Sequence, residues 1–288
     1  MSEKIYCPYT DTEIDASSSS AEHIIPLSLG GSNDFTIPVG KEYNSKIGSD
    51  IDGDLANDFL VLLRRRNFDA RGHSKKKPKV IIKKSTMEDG NRPVQVEFSE
   101  TDGLLVYDPV QRRVLSRYET SGQNFKSQFR ISRFGRIKFA AKVALSGGYF
   151  AFGEWFRTNV NHEELRALME FNPTSKKNDF SGFGLKVYDE FTSANEKDSE
   201  QYALDKLFCE IVQGSCVYFI PGPKNLGIIV GILGQYVATL NIPANTIDFP
   251  FTELNDLGHA IVIESGEAKR ISYRELAKMA YERMPSAN

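Results

Sequence analysis

Glu22 and His23 adjoin in the run Glu22-His23-Ile24-Ile25-Pro26, Gly30 and Gly31 follow, and Asn44 opens the run Asn44-Ser45-Lys46-Ile47-Gly48. These residue types suit one reaction. A phosphodiester resists attack because its anionic oxygens repel a nucleophile, so its hydrolysis needs a cation on the phosphate and a base that makes hydroxide from water. An imidazole titrates near neutrality and is largely unprotonated at working pH, which gives His23 the base role. The Glu22 carboxylate and the Asn44 amide oxygen are hard donors, better suited to Mg²⁺ or Mn²⁺ than to a soft metal, and two protein ligands leave positions for water and phosphate. Singly, each residue has an ordinary explanation: a satisfied structural histidine, an asparagine helix cap, a glycine turn. Their joint order points to a nuclease centre.

A compact set of elements would position these groups. Lys4 to Tyr6 and His23 to Ile25 read as short strands, Leu29 to Asn33 as a turn-rich loop, and Phe35 to Val39 as another extended piece. Tyr43, Ile47, Ile51, Leu55 and Phe59 recur at every fourth position. That spacing predicts a helix whose stripe packs on the hairpin and leaves Asn44 near its rim. Hairpin and helix together would gather positions 22, 23 and 44.

Residues 7 to 58 resemble an HNH endonuclease, the ββα-metal class, from Cys7-Pro8-Tyr9-Thr10 through Glu22-His23-Ile24-Ile25-Pro26-Leu27-Ser28-Leu29-Gly30-Gly31 to Asn44-Ser45-Lys46-Ile47-Gly48. The resemblance implies that His23 is the general base, Glu22 the adjacent metal ligand and Asn44 the metal ligand on the helix. It also implies Mg²⁺ or Mn²⁺ as cofactor and DNA as substrate. The chain departs from the family's pattern in its cysteines. Many members hold a structural zinc with two Cys-x-x-Cys pairs, but here Thr10, Gly40 and Tyr43 occupy three of the four positions, so no structural zinc is expected. Burial of Tyr43 and the aliphatic stripe must then stabilise the module. The family's central asparagine position falls on Phe35, with Asn33 nearby. Gly48 stands where some relatives carry a further ligand, and would let a nucleic-acid backbone approach closely.

The formal charge of −2 conceals an uneven distribution. Residues 1 to 60 carry 3 basic and 11 acidic side chains, residues 61 to 150 carry 20 and 8, and residues 151 to 288 carry 13 and 19. The middle of the chain is therefore the expected footprint on double-stranded DNA, through counterion release from phosphates. Its candidates are Arg64, Arg65, Arg66, Arg71, Lys75, Lys76, Lys77, Arg130, Arg133 and Arg136, within a basic set that includes Lys79, Lys83, Lys84, Arg112, Arg113, Lys126, Lys138 and Lys142. A run of this kind on its own more often marks a solvated face. Its adjacency to the nuclease-like motif favours phosphate binding.

These readings give an α+β fold with three regions: a nuclease module at 1–62, a basic segment with hairpins and a long helix at 63–150, and an α+β domain at 151–288 for target recognition or dimerisation. Hairpins are expected at Lys79 to Ile82 with Val94 to Phe98, around a Glu88-Asp89-Gly90-Asn91 turn, and at Leu104 to Asp108 with Arg113 to Ser116. Helices are expected over Phe134 to Phe156, where Gly147-Gly148 could interrupt, over His162 to Phe171 with Asn161 as cap, and over Tyr273 to Met284. A short strand is expected at Leu185 to Tyr188, and β structure at Phe208 to Ile220, Leu226 to Leu233, Tyr236 to Ile242 and Ala260 to Glu264. His73, His162 and His259 read as ordinary loop or structural residues, and Cys209 and Cys216 as core. Three cysteines make no disulfide framework, and the most apolar run, Leu226 to Leu240, is broken by three glycines and Gln235, so a cytoplasmic protein without a membrane span is expected. The expected activity is metal-dependent hydrolysis of DNA, of restriction type, with a symmetric homodimer needed if both strands of a palindrome are cut. A phage or mobile-element nuclease, and a DNA-binding protein on an inactive HNH scaffold, are the alternatives.

Overall fold

The computed structural model describes residues 3–88, 91–99, 103–174, 179–191 and 199–283. Strands β1 (Lys4–Cys7) and β2 (Thr12–Asp15) form a small antiparallel hairpin. Strands β3 (Ser19–His23) and β4 (Thr36–Gly40) form a second, with Glu22 opposite Ile37 and His23 opposite Thr36. Side chains alternate faces along a strand, and cross-strand partners share one. Ile37 and Val39 are buried, so Glu22, paired with Ile37, is turned to the core and His23 to the other face. The connection between β3 and β4 carries Ile24, Ile25, Leu29 and Phe35, all fully buried. It closes only with glycine at 31, where a Cβ would stand 1.7 Å from the Ile25 carbonyl oxygen, and with glycine at 30, whose φ is 76°.

Helix α1 (Lys41–Ile47) follows β4 directly, passes through a π-helical turn at Gly48–Asp52 and continues as α2 (Gly53–Ala56). A strict four-residue stripe drifts by about 40° per repeat on an ideal α-helix. The wider π turn takes up part of that drift, and Ile47, Ile51 and Leu55 all stay buried. The single helix through Phe59 that the spacing predicts does not form. Asp58 interrupts it by capping α3 (Phe59–Asn67), accepting from the Leu60 and Val61 amides. Phe59 then stacks on Phe129 at 4.2 Å, beside a different core.

That core belongs to a five-stranded antiparallel sheet. Its strands are β5 (Val80–Met87), β6 (Arg92–Phe98), β7 (Leu104–Asp108) and β8 (Arg113–Val114), then, after the short helix α4 (Arg117–Thr120), β9 (Phe125–Gln128), in the order β8-β7-β6-β5-β9. Both expected hairpins are present, although β8 stops before Ser116 because Ser116 and Glu119 form a capping box on α4. Asp89 and Gly90 of the expected turn lie outside the described residues. A register shift between Ile82 and Ser85 leaves the consecutive Lys83 and Lys84 both exposed.

The remainder is organised by α5 (Arg133–Phe152), which runs unbroken through Gly147 and Gly148 and ends at Gly153, φ 53°. Gly148 is required by packing, since a Cβ there would lie 2.1 Å from the Phe156 ring. Next come α6 (Glu154–Asn159) and α7 (Glu163–Glu170). His162, not Asn161, takes the α7 cap position, and the Asn161 amide donates instead to the Pro243 carbonyl. Strand β10 (Lys186–Asp189) precedes α8 (Ser199–Ile211), β11 (Ser215–Pro221), β12 (Asn225–Ile232), β13 (Gln235–Pro243), β14 (His259–Glu264), β15 (Glu267–Ser272) and α9 (Tyr273–Arg283). Phe208 to Ile211, expected as strand, thus ends a helix. Met284 lies outside the described residues.

These strands form an antiparallel sheet in the order β10-β13-β12-β11-β14-β15. Its Val217, Phe219, Ile228 and Val230 share a core with α5, whereas Tyr218 and Ile229 share one with α8 and α9. Coverage of both faces explains why β11 to β13 read as near-continuous apolar runs. The architecture is α+β. The expected boundaries at 62 and 150 fall inside α3 and α5, and one core runs from Cys7 through α5 to the six-stranded sheet. No helix among the described residues is long and apolar enough to cross a membrane.

Candidate functional site

His23, Glu22 and Asn44 border one cavity of about 340 Å³, together with Gly48, Asp52, Gly72 and His73. The β3–β4 hairpin supplies the first two residues, and the helix that immediately follows supplies Asn44 and Asp52. The His23 ring is half-buried, and its Nε2 lies 3.1 Å from Asn33 Oδ1. An amide oxygen only accepts, so in this contact the ring donates from Nε2. The His73 ring approaches His23 edge-on at 5.6 Å between centroids. His73 is therefore part of the cavity wall rather than an isolated loop residue.

Glu22 is buried and does not stand alone. Lys142, reaching in from α5, places its Nζ 2.5 Å from Glu22 Oε1, 3.1 Å from Asp52 Oδ2 and 2.9 Å from the His23 carbonyl oxygen. The contact with Glu22 is an ion pair without hydrogen-bond alignment. Glu22 Oε1, Asp52 Oδ1 and the Tyr9 hydroxyl remain buried oxygens with no hydrogen-bond partner among the described residues. Burial pushes the Asp52 carboxyl up to about 6, against the opposing pull of Lys142 and with a further push from the Glu22 charge. Burial and then the Glu22 charge likewise raise the Tyr9 phenol well above its ordinary value.

Asn44 Nδ2 donates to Ser20 Oγ at 2.9 Å and toward the Ala21 carbonyl at 3.4 Å. Both partners lie on β3, so the hairpin orients the amide and directs its oxygen away from those contacts. Three side chains with hard oxygen donors, Glu22, Asp52 and Asn44, thus border a common cavity, and hard oxygens are the donor type that Mg²⁺ and Mn²⁺ take. Among the described residues no group of three His, Cys, Asp or Glu side chains converges as a metal site. Any ion here would depend on the amide and on water as well as on carboxylates. Cys7 is buried with its thiol free, and Tyr43 stacks on Tyr9 at 5.7 Å.

The arginines and lysines expected on phosphates divide into two groups. Arg64, Lys75, Lys76 and Lys77 are exposed, as is Arg130, which pairs with Asp54 at 2.9 Å. Arg71 is exposed but lies in a fork on Asp69. Arg65 instead clamps the Ser28 and Ala56 carbonyls, Arg66 donates to the Ser99 carbonyl, and Arg133 pairs with buried Asp189 at 2.7 Å. Arg136 is only 1% exposed, buried against Asp58 at 3.0 Å and Glu190 at 3.4 Å. That geometry takes Arg136 out of the expected phosphate surface, and Lys142, fully buried, leaves it too. Their sequence context is basic, but α5 is buried nearly all round and carries both inward.

Asp52 and Lys142 carry no motif signal. Asp52 lies eight residues after Asn44, two turns along the same helix, a spacing that could have marked it. Nothing local distinguishes Lys142 from its basic neighbours, because its partners come from β3 and the π turn. His162 and His259 do serve structural ends, contacting the Arg157 and Leu254 carbonyls at 3.0 Å each, and burial lowers both imidazoles below the ordinary value. No protein-family model, no curated protein and no solved structure matches this chain.

Proposed function

We propose that this chain is a metal-dependent endonuclease of the HNH kind that hydrolyses DNA. The observation that carries the reading is the cavity where a strand–loop–strand–helix unit gathers His23, Glu22, Asn44 and Asp52. Held with Nε2 on Asn33, His23 takes a proton from water at Nδ1. Glu22 and Asn44 would hold Mg²⁺ or Mn²⁺, with Asp52 lining the same cavity. A divalent cation at this position supplies Lewis acidity toward the scissile phosphate and its leaving oxygen. The exposed Arg64 and Lys75 to Lys77 bind phosphates of double-stranded DNA. A restriction role is the setting we favour, with a homodimer providing two centres for double-strand cleavage.

One observation favours a second reading, in which the same scaffold binds DNA without cutting it. Lys142 already neutralises Glu22, the residue expected to ligate the ion. Incubating the protein with modified and unmodified duplexes in Mg²⁺, Mn²⁺ or EDTA, and sequencing any ends, separates the two. Cleavage that requires the cation and disappears in His23→Ala supports the nuclease. Binding that leaves the DNA intact under every condition supports the scaffold.

A further inference from the structure

Lys142 sits within the all-buried middle of α5 and is 0% exposed. An ammonium has three N–H donors and no acceptor. Three oxygens surround this one: Glu22 Oε1 at 2.5 Å, Asp52 Oδ2 at 3.1 Å and the His23 carbonyl at 2.9 Å. Two carboxylates and a carbonyl around one positive atom are the donor set a cation site provides. With both carboxylates ionised, the triad carries a net charge of −1, and two of its buried oxygens, Glu22 Oε1 and Asp52 Oδ1, lack a hydrogen bond. A buried charge that loses its partner is strongly destabilising, whereas one that is paired can be accommodated.

We infer that Lys142 is a resident cation of the site, a positioning residue that fixes the Glu22 carboxylate and the His23 main chain and is itself anchored by Asp52. The inference deepens the nuclease reading and rests on it for the identity of the metal ligands. Lys142 holds two reaction groups by different bonds: the side chain of one and the backbone of the next. It also removes one negative charge from the cavity edge, so the site offers one net charge to a divalent ion instead of two. Removing the ammonium should leave a stronger but less ordered cation site, whose folded state then depends on metal.

The test compares the full chain with Lys142→Met, Asp52→Asn and the double variant. Thermal unfolding is followed in EDTA and in Mn²⁺, and Mn²⁺ affinity is measured by calorimetry. Lys142→Met should lower the midpoint in EDTA, regain it in Mn²⁺, and bind Mn²⁺ at least about tenfold more tightly than the parent, because an uncompensated carboxylate then faces the ion. Adding Asp52→Asn should restore most of the EDTA midpoint by removing the excess charge. Additive losses in the double variant, or an EDTA midpoint in Lys142→Met equal to the parent's, would overturn the inference. If Lys142→Met yields no folded protein, folding of the double variant supports the inference and its failure to fold overturns it. If no protein binds Mn²⁺ but Asp52→Asn still rescues Lys142→Met in EDTA, the resident-cation role stands and the metal-dependent reading of the site fails.

Discussion

Asp52→Asn should change how stability depends on pH, and the structure sets the size and sign. Burial holds the Asp52 carboxyl at about 6 in the fold, roughly two pH units above an unperturbed aspartate. Below pH 4 the group is protonated in both folded and unfolded chains and contributes no slope. Between pH 4 and 6 the unfolded chain loses this proton while the folded chain keeps it, so the folded state binds more protons and its stability falls as pH rises. At about 1.4 kcal/mol per pH unit, the parent loses about 3 kcal/mol across that window. An asparagine cannot titrate. The stability of Asp52→Asn relative to the parent should therefore climb by about 3 kcal/mol from pH 4 to pH 7 and stay level above. Urea unfolding followed by the single tryptophan, Trp155, in EDTA at steps across that range reads the difference at constant m-value. A difference that stays flat from pH 4 to 7, or that runs the other way, would refute the argument that Asp52 is desolvated beyond what Lys142 compensates.

Four further outcomes follow from particular contacts. His23→Ala should lose at least about a hundredfold in cleavage rate while duplex binding persists; near-parental cleavage would remove His23 from the base role. Arg136→Met leaves Asp58 buried without its cation and should cost about 3–5 kcal/mol in urea unfolding, part of it regained on adding Asp58→Asn; a loss below 1 kcal/mol would show that Asp58 is satisfied by backbone amides alone. Gly148→Ala drives a methyl into the Phe156 ring and should cost about 1–3 kcal/mol, measured the same way; an unchanged midpoint would mean that α6 shifts freely. Replacing the exposed Lys75, Lys76 and Lys77 together with Ala should lower the slope of log affinity against log salt by roughly 0.9 per lost phosphate contact, equally for all duplexes; an unchanged slope would place the run on a merely solvated face.

Sequence legibility followed the range of the forces involved. Glu22, His23 and Asn44 could be gathered on paper because a hairpin and the helix after it are local structures, although the strand lies at Ser19–His23 and Ile24 and Ile25, read as strand, fall in the buried connection after it. The hairpins of the five-stranded sheet were legible for the same reason. Phe208 to Ile211 were not, because a short buried apolar run has no period that separates strand from helix, and these residues close a helix that starts at Ser199. The end of the Tyr43 stripe was hidden by Phe59, which fits the repeat, while Asp58 one residue earlier carries the stronger instruction to start a new helix. Arg136 and Lys142 show the sharpest failure. A count of charges along the chain assigns them to a phosphate-facing surface, yet side chains on α5 are sorted by tertiary packing.

That sorting ties the candidate site to the rest of the fold. A helix whose surface is apolar nearly all round is buried, and any charge it carries must find partners on the elements that bury it. For Arg136 the partners are Asp58, which also starts α3, and Glu190; for Lys142 they are Glu22 on β3 and Asp52 on the π turn. Rotating or sliding α5 enough to release one ammonium or guanidinium would unpair both, since six residues of rigid helix separate them. The two buried cations therefore fix the register of α5 against the hairpin–helix unit, where apolar packing alone would tolerate substitutions of similar volume. Whatever chemistry the cavity performs, the His23 main chain is held from 119 residues away along the chain, through the Lys142 contact to the His23 carbonyl, and the same ammonium holds the Glu22 carboxylate.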